Sequence, residues 1–288
     1  MRNKKSLVKT VVLVMGAVLL LSLNSALAAD GSLAVYYSFD NPDALGTDDS
    51  GNGSTLTTDE FDFSEPTAAA GQVGGAVYFD GTNGYAVREA DTNPSIYPDG
   101  PFSISLWVKS DDGASGVCVS RTAASLGGGY AITTDGTPAT YRFVLYEDGA
   151  AYTLNTGALV TAGEWTHIAL TYNGVWDDVW GVYEGDASIY ANGQLVGTET
   201  SWYVPGGFRF GLGFRANSTP NGSAFFTGSV DEYAVFNGVL TDSQVNSLYT
   251  GGSTPANVFV DLAGDINSDG IVDYADLALL AQNWLMQK

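Results

Sequence analysis

The chain has 288 residues, with 11 Lys+Arg against 32 Asp+Glu, a formal charge of −21, and a single Cys and a single His. One cysteine excludes a disulfide scaffold, one Cys with one His is too few for a Cys/His zinc site, and so acidic a chain repels nucleic acid. The 36 glycines among 16 Tyr, 13 Phe and 6 Trp point to an all-β domain rich in tight turns.

The chain opens with Arg2, Lys4, Lys5 and Lys9, then an apolar run over 11–23 and the small-residue pair Ala26 and Ala28. This order is that of a secretory signal peptide, residues 1–28, with cleavage expected after Ala28. The apolar run is too short to span about 30 Å of hydrocarbon, so no membrane span is expected after cleavage. The exported chain keeps 7 Lys+Arg against 32 Asp+Glu, a net −25. Cys118, in a strand-like run at 116–120, reads as a small buried residue.

From residue 33 to about 236, short strands alternate with Gly, Asn, Asp and Pro clusters. Predicted strands cover 33–39, 75–80, 85–88, 102–108, 165–172, 188–191, 194–196, 208–212 and 225–236. Phe102, Ile104, Leu106 and Val108 share one face, as do Ile168, Leu170 and Tyr172, the period of a strand with one buried face. Asn192-Gly193 fits a two-residue hairpin turn, because both positions need positive φ. So many strands cannot form one flat sheet, and two antiparallel sheets packed as a jelly-roll sandwich are expected over 31–250. Thr241 with Gln244 makes a capping box for a short helix that Gly251-Gly252 would stop. A linker is expected over 251–260, and a separate calcium-loop-plus-helix segment over 261–288.

Seven segments in order carry a family resemblance: YYSFD at 36–40, DSGNG at 49–53, AVYFDG at 76–81, FSISLWVK at 102–109, GEWTHIALTY at 163–172, IYANG at 189–193 and FTGSVDEYAVF at 226–236. The domain resembles the laminin-G-like jelly rolls of the concanavalin-A-like lectin/glucanase superfamily. The resemblance implies a secreted recognition or adhesion module acting on polysaccharide or glycoprotein, and in many members a structural calcium ion. Asp40 and Asp231 are its candidate ligands here, ahead of Asp80 and Asp49. The other reading of these aspartates is that they cap turns through their side chains.

Asp265, Asn267, Asp269, Asp273 and Asp276 place oxygens at positions 1, 3, 5, 9 and 12 of an EF-hand-type loop, with Ile271 offering its backbone carbonyl and Gly270 at the sharp turn. Leu277, Leu280, Ala281 and Trp284 then lie on one helical face. Calcium binding is expected there. The segment resembles one type I dockerin repeat, which implies a cohesin-like or cell-surface partner. Dockerins of that family carry two repeats, and this chain shows one.

A sugar-binding face needs exposed aromatic rings on which sugar C–H faces stack. Trp176, Trp180 and Tyr183, with Asp177 and Asp178 beside them, are the first candidates, and Trp202 with Tyr203 the second. The alternative is that these rings extend the core. A retaining glycosidase of the superfamily would show Glu-x-Asp-x-x-Glu; Glu184 and Asp186 begin that pattern, but residue 189 is Ile. His167 is the only possible base for a Ser-His-Asp arrangement and lies mid-strand, where a structural role is expected. The sequence therefore favours a noncatalytic recognition module, with a structural or adhesive surface protein second and a divergent glycoside hydrolase third.

Overall fold

The computed structural model describes residues 31–58, 64–87, 98–113, 116–122, 128–147, 150–205, 209–215, 224–259, 274 and 277–281. The chain divides into two units, 1–30 and 31–288; the first, which holds the expected signal peptide, lies outside the described residues. Within the second unit two antiparallel sheets face each other.

The larger sheet holds β1 (Ser32–Tyr37), β2 (Thr67–Ala70), β3 (Gly75–Asp80), β5 (Phe102–Ser110), β10 (Thr166–Tyr172), β11 (Val175–Asp177), β12 (Val182–Ala191), β13 (Gln194–Tyr203) and β15 (Thr227–Asn237). Its order is β11-β12-β10-β5-β15-β3-β2, with β1 joined to β15 and β13 to β12. The smaller sheet holds β4 (Tyr85–Val87), β6 (Gly116–Thr122), β7 (Gly128–Gly136), β8 (Ala139–Glu147), β9 (Ala150–Leu159) and β14 (Arg209–Leu212). Its order is β4-β14-β6-β7-β8-β9. This is the jelly-roll sandwich that the strand pattern predicts.

The inward faces make one continuous core that includes Tyr37, Phe102, Ile104, Leu106, Tyr130, Phe143, Ile168 and Tyr233. Burying this apolar area, at roughly 25 cal/mol per Å², is the main favourable term for the fold. Cys118 is buried within the core, and burial pushes its thiol pKa up. The β12–β13 hairpin turns at Asn192 (φ 48°) and Gly193 (φ 74°), the left-handed pair that a two-residue turn requires.

One feature of the pattern was incomplete. Alternation in β5 and β10 implied one buried face, yet Ser103, Ser105, Trp107, His167 and Thr171 on the other face are buried too. The cover is α1 (Asp242–Thr250) with the segment that follows it. Val245 and Leu248 of α1, with Leu240 and Val258, pack on Tyr36, Ala169, Tyr190 and Phe236 of the large sheet's outer face. The capping box of Thr241 and Gln244 is formed, and Gly251 ends the helix at φ 77°. Residues 253–259, expected as linker, lie on the sandwich: Ser253, Pro255 and Val258 are buried, and Gln244 Nε2 donates to the Val258 carbonyl at 3.1 Å. Small serines on β5 admit this cover. Ser103 Oγ accepts from Leu240 N and donates to the Gly238 carbonyl, both at 2.9 Å.

Candidate functional site

The β11–β12 hairpin presents the first aromatic group. Trp176 pairs with Tyr183 across the two strands, and the rings meet edge to face with centroids 5.1 Å apart. The turn between them is braced by its own acids. Asp177 Oδ1 accepts from Val179 N at 2.7 Å and Trp180 N at 3.1 Å, and Gly181 N donates to the Asp177 carbonyl at 2.8 Å. Trp176 Nε1 donates to Asp178 Oδ1 at 2.8 Å, and Tyr183 Oη donates to Asp99 Oδ1 at 2.7 Å. Trp176 is nevertheless 46% exposed and Trp180 76% exposed, with Val175 and Val179 exposed alongside. Large apolar side chains left exposed on one hairpin are candidates for an interaction site. Ring faces held by hydrogen-bonded acids can stack on sugar C–H surfaces while carboxylates accept from sugar hydroxyls.

The second aromatic pair divides. Trp202 is half-buried against Tyr152, ring centroids 5.3 Å apart. Tyr203 is fully buried, its ring 5.2 Å from that of Phe102 and its hydroxyl donating to the Pro98 carbonyl at 3.3 Å. Neighbours on a strand point to opposite sides, so the core claims Tyr203 and no ring face of it is open to a ligand.

Asp40 and Asp231 are brought to one place, the turn between β2 and β3. Strand β15 pairs with β3 through its first half and with β1 through its second, and its pairing with β5 slips between Asp231 and Ala234. At this bulge Glu232 is held at φ 52°, a conformation that costs a non-glycine residue about 1–3 kcal/mol. Asp231 Oδ2 accepts from Gln72 N at 2.8 Å and Val73 N at 2.9 Å, while Asp40 Oδ1 accepts from Gly75 N at 2.7 Å. Asp231 Oδ1 is buried without a hydrogen-bond partner, and Glu232 accepts from the Tyr36 hydroxyl at 2.7 Å. Burial raises Asp231 to about 8 and Glu232 to about 7. Glu232 was not singled out in the sequence; an Asp-Glu pair inside an otherwise apolar strand was the available signal.

The other two aspartates brace turns. Asp49 Oδ2 accepts from Ser38 N at 3.0 Å and Ser38 Oγ at 2.7 Å; Asp80 Oδ1 accepts from Thr82 N and Thr82 Oγ1, both at 2.8 Å. Calcium takes six to eight oxygen ligands. Among the described residues no three or more His, Cys, Asp or Glu side chains are gathered to hold a metal, and Asp40 and Asp231 already serve backbone N–H groups. Asp265, Asn267, Asp269, Ile271, Asp273 and Asp276 lie outside the described residues; Tyr274 and residues 277–281 are helical, with Leu277 and Leu280 exposed.

His167 Nε2 lies 3.0 Å from Ser105 Oγ, both side chains being buried. Its Nδ1 has no hydrogen-bond partner, where a catalytic triad sets a carboxylate. Burial lowers its pKa to about 3. Glu184 and Asp186 are exposed on β12, and Ile189 is in the core.

A family model of the laminin-G type, from the concanavalin A-like lectin/glucanases superfamily, matches residues 67–246. That match covers more than half of the chain, and the chain belongs to this superfamily. Domain 4 of an extracellular arabinanase from Geobacillus stearothermophilus, determined in complex with arabinotriose, is similar in structure, with TM-score 0.58 and 23% identity over 76% of this chain and 98% of that one. The receptor-binding domain of botulinum neurotoxin type G is similar at TM-score 0.54 and 14% identity, over 77% of this chain and 52% of that one. A comparison with curated proteins gives no match.

Proposed function

We propose that this chain is an exported, noncatalytic recognition module for polysaccharide or the glycan of a glycoprotein. The observation that carries the reading is the Trp176–Trp180 pair, exposed on a hairpin whose turn is fixed by Asp177. An exposed tryptophan has a reason to stay exposed when a ligand covers it. The likeness to an arabinanase domain determined with arabinotriose, and to a receptor-binding domain, supports recognition as the role. The buried Ser105–His167 pair and the broken Glu-x-Asp-x-x-Glu pattern support the absence of catalysis. The signal-peptide pattern of residues 1–28 supports export from the cytoplasm.

The C-terminal loop, Asp265 to Asp276, is the proposed calcium site, and its following helix the means of attachment to a cohesin-like or cell-surface partner. Exposed Leu277 and Leu280 support that second role. The test uses the mature chain on a panel of insoluble polysaccharides, with and without EDTA, reading protein retained and sugar released. Retention on at least one polysaccharide, unchanged by EDTA and without sugar release, is the expected result. Sugar release would establish a glycosidase instead. Retention on none, with attachment to cells that EDTA abolishes, would establish the adhesive reading.

A further inference from the structure

The outer face of the small sheet carries a groove of about 310 Å³, lined by Thr133, Asp135, Arg142, Tyr146, Thr153 and Arg215 among others. Its floor comes from β7, β8 and β9, where Ala131, Val144 and Tyr146 form a nearly dry patch on the side away from the core. The volume falls at the lower end of the roughly 300–1,000 Å³ of small-ligand clefts.

Two arginines line it, in a mature chain with only 7 Lys+Arg against 32 Asp+Glu. Arg142 is held along the rim. Its Nε donates to Thr140 Oγ1 and its Nη1 to Asp135 Oδ2, each at 3.3 Å. Gly136, at φ 104°, keeps room for the group, since a Cβ there would lie 2.6 Å from Arg142 Nη2. Asp135, at the outer end of that pair, is largely exposed and makes a long contact, so it neutralises Arg142 weakly. Arg215 stands differently. Its Nε is buried and has no hydrogen-bond partner, and its charge acts on the Tyr146 hydroxyl. Native structures pair nearly all buried N–H groups; this one is shut in without a partner, and the terminal N–H groups of the same guanidinium are the donors the groove can offer to an acceptor from outside.

We propose that this groove binds a carboxylate-bearing sugar residue, a uronic acid, with Arg215 and Arg142 taking the carboxylate and the Thr133 and Thr153 hydroxyls meeting the ring hydroxyls. The proposal rests on the carbohydrate reading above and adds a second, charge-reading subsite to it. A planar guanidinium matches a carboxylate with two parallel hydrogen bonds. The strong negative charge of the rest of the chain opposes a dense polyanion, but that field is screened beyond about 8 Å at physiological salt. Isolated acidic residues in a mostly neutral polysaccharide are therefore the occupants selected.

The test is an NMR titration of the mature chain with D-glucuronate and with D-glucuronamide, which has the same ring and no charge. Glucuronate is expected to bind about tenfold or more tightly, with the advantage shrinking as salt rises. Arg215→Gln and, separately, Arg142→Gln are expected to lose that advantage, each variant being checked for an intact melting transition. Equal affinity of the wild type for both sugars overturns the proposal, as does full glucuronate preference in both variants. If neutral polysaccharide is still retained through Trp176 and Trp180 while glucuronate is not preferred, the groove fails and the recognition reading stands. If glucuronate is preferred and no polysaccharide is retained, the groove stands and the platform fails.

Discussion

Asp231 and Glu232 sit side by side at the bulge of β15, with their carboxyls raised by burial to about 8 and about 7. A raised acid keeps a proton in the folded chain that the unfolded chain releases above about pH 4. The stability this pair contributes is thus complete below about pH 4 and is lost as pH rises through those folded values. His167, lowered to about 3, works in the opposite direction. Its contribution is complete above about pH 6.5 and is lost as pH falls toward its folded value. Above neutrality only the acids act, so the melting midpoint should fall between about pH 6.5 and 8.5 by several degrees, at roughly 2–4 °C per kcal/mol. Asp231→Asn keeps an oxygen for the Gln72 and Val73 N–H groups and removes the charge, so it should flatten that fall. An unchanged alkaline slope in the variant would show that Asp231 is ionised at little cost in the fold.

Helix α1 is short, and its sequence signals are strong. Thr241, Gln244 and Gly251 specify start and stop, and the structure uses all three. Thr241→Ala should cost about 1 kcal/mol, seen as a drop of roughly 2–4 °C in melting midpoint; no drop would mean that packing of Val245 and Leu248 alone holds the helix. The strands were legible for a similar reason. Phe102, Ile104, Leu106 and Val108 announce the inner face of β5, and Asn192-Gly193 announces the β12–β13 hairpin. Hidden from periodicity was the second buried face, because Ser103 and Ser105 read as solvent-facing until a helix some 140 residues along the chain covers them. Alternation reports polarity, not burial. The same limit put Tyr203 with Trp202 in the sugar-binding group. Neighbouring aromatics on a strand look alike in sequence, and only the sheet's orientation tells which one faces the core.

At the scale of the whole molecule, a strongly acidic chain folds into a sandwich with most of its aromatic rings inside and a few left out. The hairpin at Trp176 and Trp180 was legible as a candidate because it is longer than a tight turn needs. The groove at Arg142 and Arg215 was not, since those residues are 73 positions apart and only the folded chain brings both to one groove. The proposed function stands on the two exposed tryptophans as a sugar platform. Its most direct test is the affinity of wild type and of Trp176→Ala/Trp180→Ala for a polysaccharide that retains the wild type, measured by depletion from solution. Loss of a stacking ring costs about 0.5–1.5 kcal/mol beyond its area. The double variant should therefore bind at least about tenfold more weakly while melting within a few degrees of the wild type. Undiminished retention by a well-folded double variant would contradict the claim.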